Sequence, residues 1–346
     1  MNFLLCFLLA GMPVKESFFP ANHPNLRYMG RIDRSNPAAP RFWSPGVVVQ
    51  WRFRGKTCRV ILRDQQLYGK NHNYVEIAVV GQAPVRIRMK GHEDTILIRG
   101  EGAGDHLVYI CKDTESGIGW LEMVGVLAEE LLPPPALPAR KIECIGNSIT
   151  AGTGMDESEI PCGKGEWYDQ HNAWMSYGAL TARMLQAQWH LTAVAGIGLV
   201  HSCCQMDIVM PQVFDKMDLR DNTGSWDFSR YVPDVVTVCL GQNDGILDST
   251  LFCGAYTRFI GDIRRHYPGT QIVCLTSPMG DATLTIVQKR YLRGIVAAVH
   301  RAGDMKVSTY FFSKQYSHGC GGHPDLEEHG LIAGELTGYL KDLMHW

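Results

Sequence analysis

Three short segments carry residues whose types could perform acyl transfer. Ser148 lies in segment 145–150, at the end of an apolar run and just before a glycine-rich turn. Asn243 follows a second apolar run, in segment 241–244, and His323 lies near the end of the chain. A serine nucleophile, amide donors for an oxyanion and a histidine base are the groups that such chemistry requires.

Each of these residues has an ordinary structural alternative. A serine after a strand also serves as a helix N-cap, and asparagine is a common turn residue. Small neighbours such as Gly146 and Gly152 favour a Ser148 hydroxyl that is open to solvent. The backbone N–H groups of Ser148 and Gly196 and the side-chain amide of Asn243 would then form an oxyanion hole.

The first part of the chain has the pattern of an all-β domain. Short runs rich in Val, Ile, Tyr and Phe, such as 46–53, 58–62 and 74–80, are separated by turn residues. Segment 85–89 alternates apolar and basic residues, as a half-exposed strand does. We expect these strands to pack as a jelly roll or another β-sandwich, over residues 18–132.

A proline-rich segment separates this part from the rest. Segment 133–138 contains four prolines, which stiffen the chain and cannot pair in a sheet. After it, apolar strands alternate with helices, which predicts a flavodoxin-like α/β domain with a parallel sheet over residues 139–346. Because functional sites in such sheets lie at the carboxyl ends of the strands, Ser148, Gly196 and Asn243 are expected to meet there.

Charge and cysteine content narrow the function classes. The net charge of −2 and the lack of a basic excess argue against a nucleic-acid partner. The 11 cysteines show no zinc-site spacing, and an acyl-enzyme mechanism uses neither a metal nor a cofactor, so we expect neither. Cys144, Cys239 and Cys274 lie in apolar runs and are expected to be small buried hydrophobes, whereas the adjacent Cys203 and Cys204 have no evident role.

The N-terminus carries a short apolar run at residues 3–10. It is too short to span a bilayer, and no later segment looks transmembrane. Residues 1–17 are interpreted as a possible secretory signal, although no basic residue precedes the run and no clean cleavage site follows it.

Together the three segments resemble blocks one, three and five of the SGNH (GDSL-like) hydrolases, and Ala195-Gly196 resembles block two. Segments 28–33, 42–46, 114–115 and 172–183 further resemble carbohydrate esterase family 2, the acetylxylan-esterase-like enzymes. The resemblance covers nearly all of the chain from about residue 18. It implies a jelly-roll domain ahead of an SGNH domain, Ser148 as nucleophile and His323 as base.

The sequence departs from the pattern of its relatives at two places. Asn147 stands where many relatives have the Asp of GDS, which is harmless because that carboxylate is not the triad acid. Cys320 and Gly321 stand where relatives have the Asp that orients the histidine. Without that Asp, the Nδ1–H of His323 needs another acceptor. The first candidate is the backbone carbonyl of Gly321, and the second is a carboxylate from a distant part of the chain. The third alternative is that the chain is an inactive descendant.

The resemblance implies a secreted or periplasmic serine esterase that removes O-acetyl groups from xylan or glucomannan through an acyl-enzyme, and the missing Asp leads us to expect a Ser–His dyad. Trp167, Trp174 and Trp226 are candidate sugar-binding residues. The alternatives are a non-catalytic carbohydrate-binding protein and an SGNH lipase or thioesterase; the latter would require an apolar acyl channel, which the sequence does not show. The oligomeric state is left open.

Overall fold

The structure, a computed structural model, describes residues 16–346. The apolar run of the possible signal segment therefore lies outside the described residues. Among the described residues, the N-terminal domain contains nine strands: β1 Ser17–Pro20, β2 Arg27–Met29, β3 Arg41–Phe42, β4 Val48–Asp64, β5 Tyr74–Val79, β6 Val85–Arg88, β7 Glu93–Arg99, β8 Asp105–Lys112 and β9 Leu121–Leu132. All of their pairings are antiparallel.

The long strand β4 connects the two halves of this domain. Two separate strands were expected at 46–53 and 58–62, but the chain continues as one strand of 17 residues. The turn-like residues around Gly55 instead form an irregularity, where the register with β9 shifts between Arg54 and Cys58. The part of β4 before this irregularity pairs with β8, and the part after it pairs with β7.

The C-terminal domain alternates strands and helices. In chain order they are β10 Arg140–Gly146, α1 Ser148–Ala151, α2 Tyr177–Met184, β11 Ala187–Ala193, α3 Met210–Val213, β12 Lys216–Asp218, β13 Thr223–Ser225, β14 Val235–Cys239, α4 Ser249–His266, β15 Gln271–Leu275, α5 Ala282–Arg301, β16 Val307–Tyr310 and α6 Leu326–Met344. None of the helices described is long and apolar enough to cross a membrane.

Five of these strands form a parallel sheet in the order β11-β10-β14-β15-β16. This order confirms the predicted flavodoxin-like α/β class. Every residue of β14 is buried, because helices cover both faces of the sheet. The strand order reverses between β10 and β14, and such a switch point leaves a crevice at the carboxyl ends of the strands.

One apolar core is shared across the interface of the two domains. A single apolar cluster joins Met29, Val48 and Cys111 of the β domain to residues of β10, β11 and α2. The indole N–H of Trp189 donates a hydrogen bond to the carbonyl of Gly46 across this interface, at 3.0 Å.

A buried ion pair also crosses the interface. The Arg31 guanidinium lies 3.0 Å from a carboxylate oxygen of Glu143, and both side chains are almost completely buried. Glu143 further accepts hydrogen bonds from the hydroxyls of Thr192 and Tyr267. Removing one member of such a pair leaves the other charge buried and unpaired.

Candidate active site

Ser148 begins α1 directly after β10. The preceding residue, Asn147, is the N-cap, and its side-chain oxygen accepts a hydrogen bond from the N–H of Ile149 at 3.1 Å. The capping role considered for Ser148 therefore belongs to Asn147. Ser148 has only 7% of its surface exposed, so its hydroxyl is less open than the sequence predicted. Its own N–H, in the first helical position, has no intrahelical acceptor.

The ring of His323 lies between Ser148 and a backbone carbonyl. Its Nε2 is 2.9 Å from the Ser148 hydroxyl, and its Nδ1 is 3.0 Å from the carbonyl oxygen of Cys320. The structure thus brings together two residues that are 175 positions apart. With Nδ1 donating to the carbonyl, Nε2 is left unprotonated and able to accept the serine proton.

The prediction that the Gly321 carbonyl orients His323 is wrong by one residue. Residues Cys320–Gly322 form a single tight turn, in which the His323 N–H donates to the Cys320 carbonyl at 3.2 Å. Gly321 adopts a left-handed conformation with φ 62°. The turn brings the backbone and the ring of His323 to the same oxygen, that of Cys320.

Nearby carboxylates are occupied elsewhere. Asp325 caps α6 by accepting a hydrogen bond from the N–H of Glu328 at 2.8 Å. Glu328 in turn accepts from the N–H of His318. Within residues 16–346, the two hydrogen-bond partners of the His323 ring are a hydroxyl and a carbonyl, and neither is a carboxylate.

Burial lowers the pKa of His323 below its ordinary value, and the hydrogen bond to the Cys320 carbonyl acts in the opposite direction. A lower pKa means that the imidazole stays neutral to a lower pH. The neutral ring is the form that can take a proton from Ser148.

Gly196 and Asn243 lie in two loops that follow β11 and β14. Gly196 has φ 83°, and a Cβ at this position would come within 2.9 Å of the sulfur of Cys203, so the close approach requires glycine. The Asn243 amide donates one hydrogen bond to the carbonyl of Ile197 at 2.8 Å. An amide NH2 has two hydrogens, so a second donor remains for an oxyanion.

The loop that carries Gly196 is supported by two carboxylates that the sequence analysis did not assign. Asp244 accepts hydrogen bonds from the N–H groups of Leu199, Val200 and His201. Glu115 of the β domain accepts one from the N–H of Ala195. Burial raises the pKa of Glu115 to about 7, while that N–H acts to lower it. The sequence did contain a signal for Glu115, because segment 114–115 is one of the segments that resemble carbohydrate esterase family 2.

Two of the three tryptophans predicted to bind sugar are buried. Trp174 is 7% exposed and has the Arg183 guanidinium 3.9 Å from its ring. It lines a cavity of about 820 Å³ at the start of β10 and β11, the opposite end of the sheet from Ser148. Trp226 is 6% exposed and packs against His190. For these two the prediction is wrong, because tertiary packing uses their large apolar surface in the interior.

Trp167 has 53% of its surface exposed and is the one predicted tryptophan that a sugar could reach. Its ring meets that of His171 edge-on at 5.0 Å. His171 is fully buried, and its pKa is lowered well below the ordinary value by burial and by the nearby charges of Arg86 and His323. Trp167 thus contacts His171, which is close enough to His323 for the charge of His323 to lower its pKa.

Two disulfides lie beside the site. One joins Cys162 to Cys320, and the other joins the adjacent Cys203 and Cys204. Cys144, Cys239 and Cys274 are buried free thiols, as predicted. The described residues thus place one disulfide next to the His323 loop and one next to Gly196.

Comparison with known proteins assigns both domains. Residues 28–135 match the family described as Carbohydrate esterase 2 N-terminal, and residues 144–307 match the GDSL-like Lipase/Acylhydrolase family. The second match ends before His323.

Individual relatives agree with these matches. A solved family two carbohydrate esterase from Clostridium thermocellum, in complex with cellohexaose, is 30% identical with a TM-score of 0.84, covering 93% of this chain and 99% of that one. The acetylxylan esterase / glucomannan deacetylase of Cellvibrio japonicus is 29% identical, over 94% of this chain and 91% of the relative. The cellulase/esterase CelE of Acetivibrio thermocellus is 32% identical over 94% of this chain, which spans only 40% of that relative's length.

Proposed function

Because this chain belongs to carbohydrate esterase family 2, we propose that it is a serine esterase that removes O-acetyl groups from plant cell-wall polysaccharide, xylan or glucomannan. The observation that carries the proposal is the Ser148 hydroxyl 2.9 Å from His323 Nε2, at the carboxyl edge of the parallel sheet. The substrate class comes from the acetylxylan esterase / glucomannan deacetylase to which the chain is similar.

The proposed reaction has two steps. The Ser148 oxygen attacks the acetyl carbonyl while His323 Nε2 accepts the hydroxyl proton, and the tetrahedral intermediate then expels the sugar oxygen, which takes that proton from His323. Water then gives a proton to the same imidazole and attacks the acetyl-enzyme, and the bond from the acetyl carbon to the Ser148 oxygen breaks as that oxygen takes the proton back and acetate leaves. Neither step requires a metal or a redox cofactor.

Three donors are proposed to stabilise the oxyanion in both steps: the N–H groups of Ser148 and Gly196 and the free amide hydrogen of Asn243. In the acyl-transfer enzymes where one such donor has been removed, the cost is about 2.7–4 kcal/mol of transition-state stabilisation. A dyad of Ser148 and His323, with the Cys320 carbonyl on Nδ1, replaces the usual triad in this proposal.

The decisive experiment is acetate release from acetylated xylan and acetylated glucomannan. The wild-type protein should release acetate from at least one of them. Ser148→Ala, which removes one oxygen, should reduce release to the background rate while the circular dichroism spectrum stays unchanged. Acetate release by Ser148→Ala at the wild-type rate would rule out Ser148 as the nucleophile.

A ratio of rates separates the esterase from a lipase. We expect an acetyl chromogenic ester to be hydrolysed much faster than its octanoyl analogue. Faster hydrolysis of the octanoyl ester would instead favour the lipase alternative.

Binding without hydrolysis is the second candidate function. It is favoured by the exposed Trp167 and by the relative that was solved with cellohexaose. Titration of the protein with cellohexaose, followed by Trp fluorescence, tests it. Binding together with a lack of acetate release from every acetylated polymer would select this candidate over the esterase.

We also propose that the protein acts outside the cytoplasm, because a polysaccharide substrate cannot cross a cell envelope. The Cys162–Cys320 disulfide supports this location, since disulfides persist in oxidising compartments. Fractionation of the source cells, with immunodetection of the protein, provides the test.

A further inference from the structure

We infer that the Cys162–Cys320 disulfide is a positioning element for His323. It fixes the Cys320 carbonyl, which occupies the place at Nδ1 that a carboxylate holds in a triad. The inference rests on the proposed esterase function and adds to it a dependence of catalysis on an oxidised cysteine pair. Cys162 and Cys320 would thus be positioning residues, since neither side chain touches the substrate or the reacting atoms.

The loop before His323 has little stiffness of its own. In the stretch 319–323, Cys320 is the only residue besides His323 that is not glycine. Gly321 and Gly322 both have positive φ, at 62° and 73°. Glycine has the largest conformational freedom to lose on ordering, so a segment of this composition needs an external anchor. Between Gly319 and His323, Cys320 offers the only side chain that can provide such an anchor.

The other end of the disulfide lies in a well-anchored loop. The side-chain amide nitrogen of Gln170, which is 3% exposed, lies 3.1–3.3 Å from the carbonyl oxygens of Ile160, Pro161 and Lys164, which share its two hydrogens. These three residues surround Cys162 on both sides. The backbone carbonyl of Gln170 accepts further hydrogen bonds from the N–H groups of residues 155 and 156, at 3.0 Å each. The disulfide therefore ties the glycine-rich segment to a loop that Gln170 holds from within.

A backbone contact constrains Cys320 together with the disulfide. The Cys320 N–H donates to the carbonyl of Gly154 at 2.7 Å. Gly154 has φ 70°, and a Cβ there would lie 2.7 Å from the Cys320 carbonyl oxygen and 3.4 Å from Nδ1 of His323. The space around this oxygen is thus closely filled, and a small displacement of Cys320 would take the carbonyl away from Nδ1.

The test compares Cys162→Ser with the wild-type protein on an acetyl chromogenic ester. This variant breaks the disulfide without a substitution at residue 320, whose side chain becomes a free thiol. We expect kcat to fall about 10- to 100-fold, the effect of a misplaced catalytic group, with KM changed less than about twofold. The assay is run well below the lowest Tm of the set, so that every variant is folded.

The pH profile distinguishes positioning from general loosening. The bond to the Cys320 carbonyl raises the pKa of His323, and burial lowers it. If the disulfide acts through the carbonyl, its loss lowers that pKa further, and the acidic limb of kcat/KM moves to lower pH. If the variant merely loosens and hydrates the site, the limb moves to higher pH, and the inference is overturned.

Controls separate this disulfide from other thiols. Cys253→Ser removes a half-buried free thiol on α4 and should keep wild-type kcat and pH profile. Reductant should bring the folded wild-type protein down to the rate of Cys162→Ser, and reoxidation should restore it. Because Cys203 and Cys204 are also reducible, the same reductant is added to Cys162→Ser, whose rate should not fall further.

The outcomes for the inference and for the proposed function are distinct. A wild-type protein that releases no acetate overturns the esterase function itself. An active wild-type protein that loses activity in Ser148→Ala but keeps full kcat in Cys162→Ser retains the function and overturns the inference. If Cys162→Ser does not fold, the inference is tested by reduction of the folded wild-type protein alone. An unchanged kcat after both disulfides have been reduced refutes the inference.

Discussion

Asn243 has two amide hydrogens, and the carbonyl of Ile197 accepts only one of them. That single bond fixes the direction of the second hydrogen without consuming it. Ser148 and His323 are also held by neighbours. Asn147 caps the helix that Ser148 begins, and the Cys320 carbonyl lies within hydrogen-bonding distance of His323 Nδ1. At the scale of single residues, each proposed catalytic group is thus oriented by a neighbour that takes no part in the reaction.

Asn243→Ala is expected to lower kcat by about 10²–10³-fold with little change in KM, because its hydrogen bond to the oxygen strengthens only as the oxyanion forms. Steady-state kinetics on an acetyl ester provide the measurement. The adjacent Gln242, whose side-chain oxygen accepts a hydrogen bond from Ser277 at 2.6 Å, is the matched control, and Gln242→Ala should lose far less. A change in KM alone would identify Asn243 as a turn or binding residue.

The pH dependence of kcat/KM should report the buried position of His323. The base must be neutral, and burial lowers its pKa below the ordinary value of 6.5. As the pH falls, the acidic limb should therefore appear below pH 6.5, and activity should persist at a pH where an exposed histidine would already be protonated. An acidic limb above pH 6.5 would contradict the arrangement and point to a carboxylate partner.

At the scale of elements, the start of α2 shows how the interface changes a helix. The pattern predicts a helix over 173–185, but α2 begins at Tyr177. The N–H groups of Ala173 and Trp174 donate instead to Asp113 of the β domain. The other helices that the pattern predicts in this domain, at 251–266, 283–301 and 326–343, agree with α4, α5 and α6 to within two residues at each end.

The loop after β11 provides a prediction at the same scale. Glu115→Ala removes the acceptor for the N–H of Ala195 and should lower kcat about tenfold or more by freeing Gly196. Glu115→Gln keeps an oxygen acceptor of nearly the same shape and should retain most of the activity. Kinetics of the two variants are compared at equal folded fraction. Equal and wild-type kcat in both would show that Glu115 does not position the loop.

At the scale of the whole molecule, the two domains form one structural unit. The shared core, the Arg31–Glu143 pair and the Trp189–Gly46 bond all cross the interface. Loss of Arg31 alone would leave Glu143 buried without its partner, at a cost of about 3–5 kcal/mol of stability. The proposed oxyanion hole depends on the same interface, because Glu115 of the β domain accepts a hydrogen bond from Ala195 in the loop of Gly196.

A fragment that begins at Ala139 should therefore be poorly soluble or weakly active. It would expose the shared apolar core, leave Glu143 unpaired and lose the Glu115 support. Sedimentation, circular dichroism and acetate release from acetylated polymer provide the measurements, with the full chain as the reference. A soluble fragment with full activity on polymer would show that the β domain is dispensable.

The sequence alone determined the fold class, the order of the domains and the segments that meet at the sheet edge. Local patterns encode these features: the all-apolar run of β14, the alternation of strands and helices, and the polar residues that follow each strand. The family resemblance came from the same short segments, and the comparisons confirm it.

Only the tertiary structure decided which groups support the site and which tryptophans are buried. The Cys162–Cys320 bond joins positions 158 residues apart, and Glu115 reaches Ala195 from another domain. Trp174 and Trp226 are buried because the interfaces around them close over their rings. Sequence spacing encodes contacts within one element, whereas contacts between elements depend on how the surfaces pack, which no local pattern records.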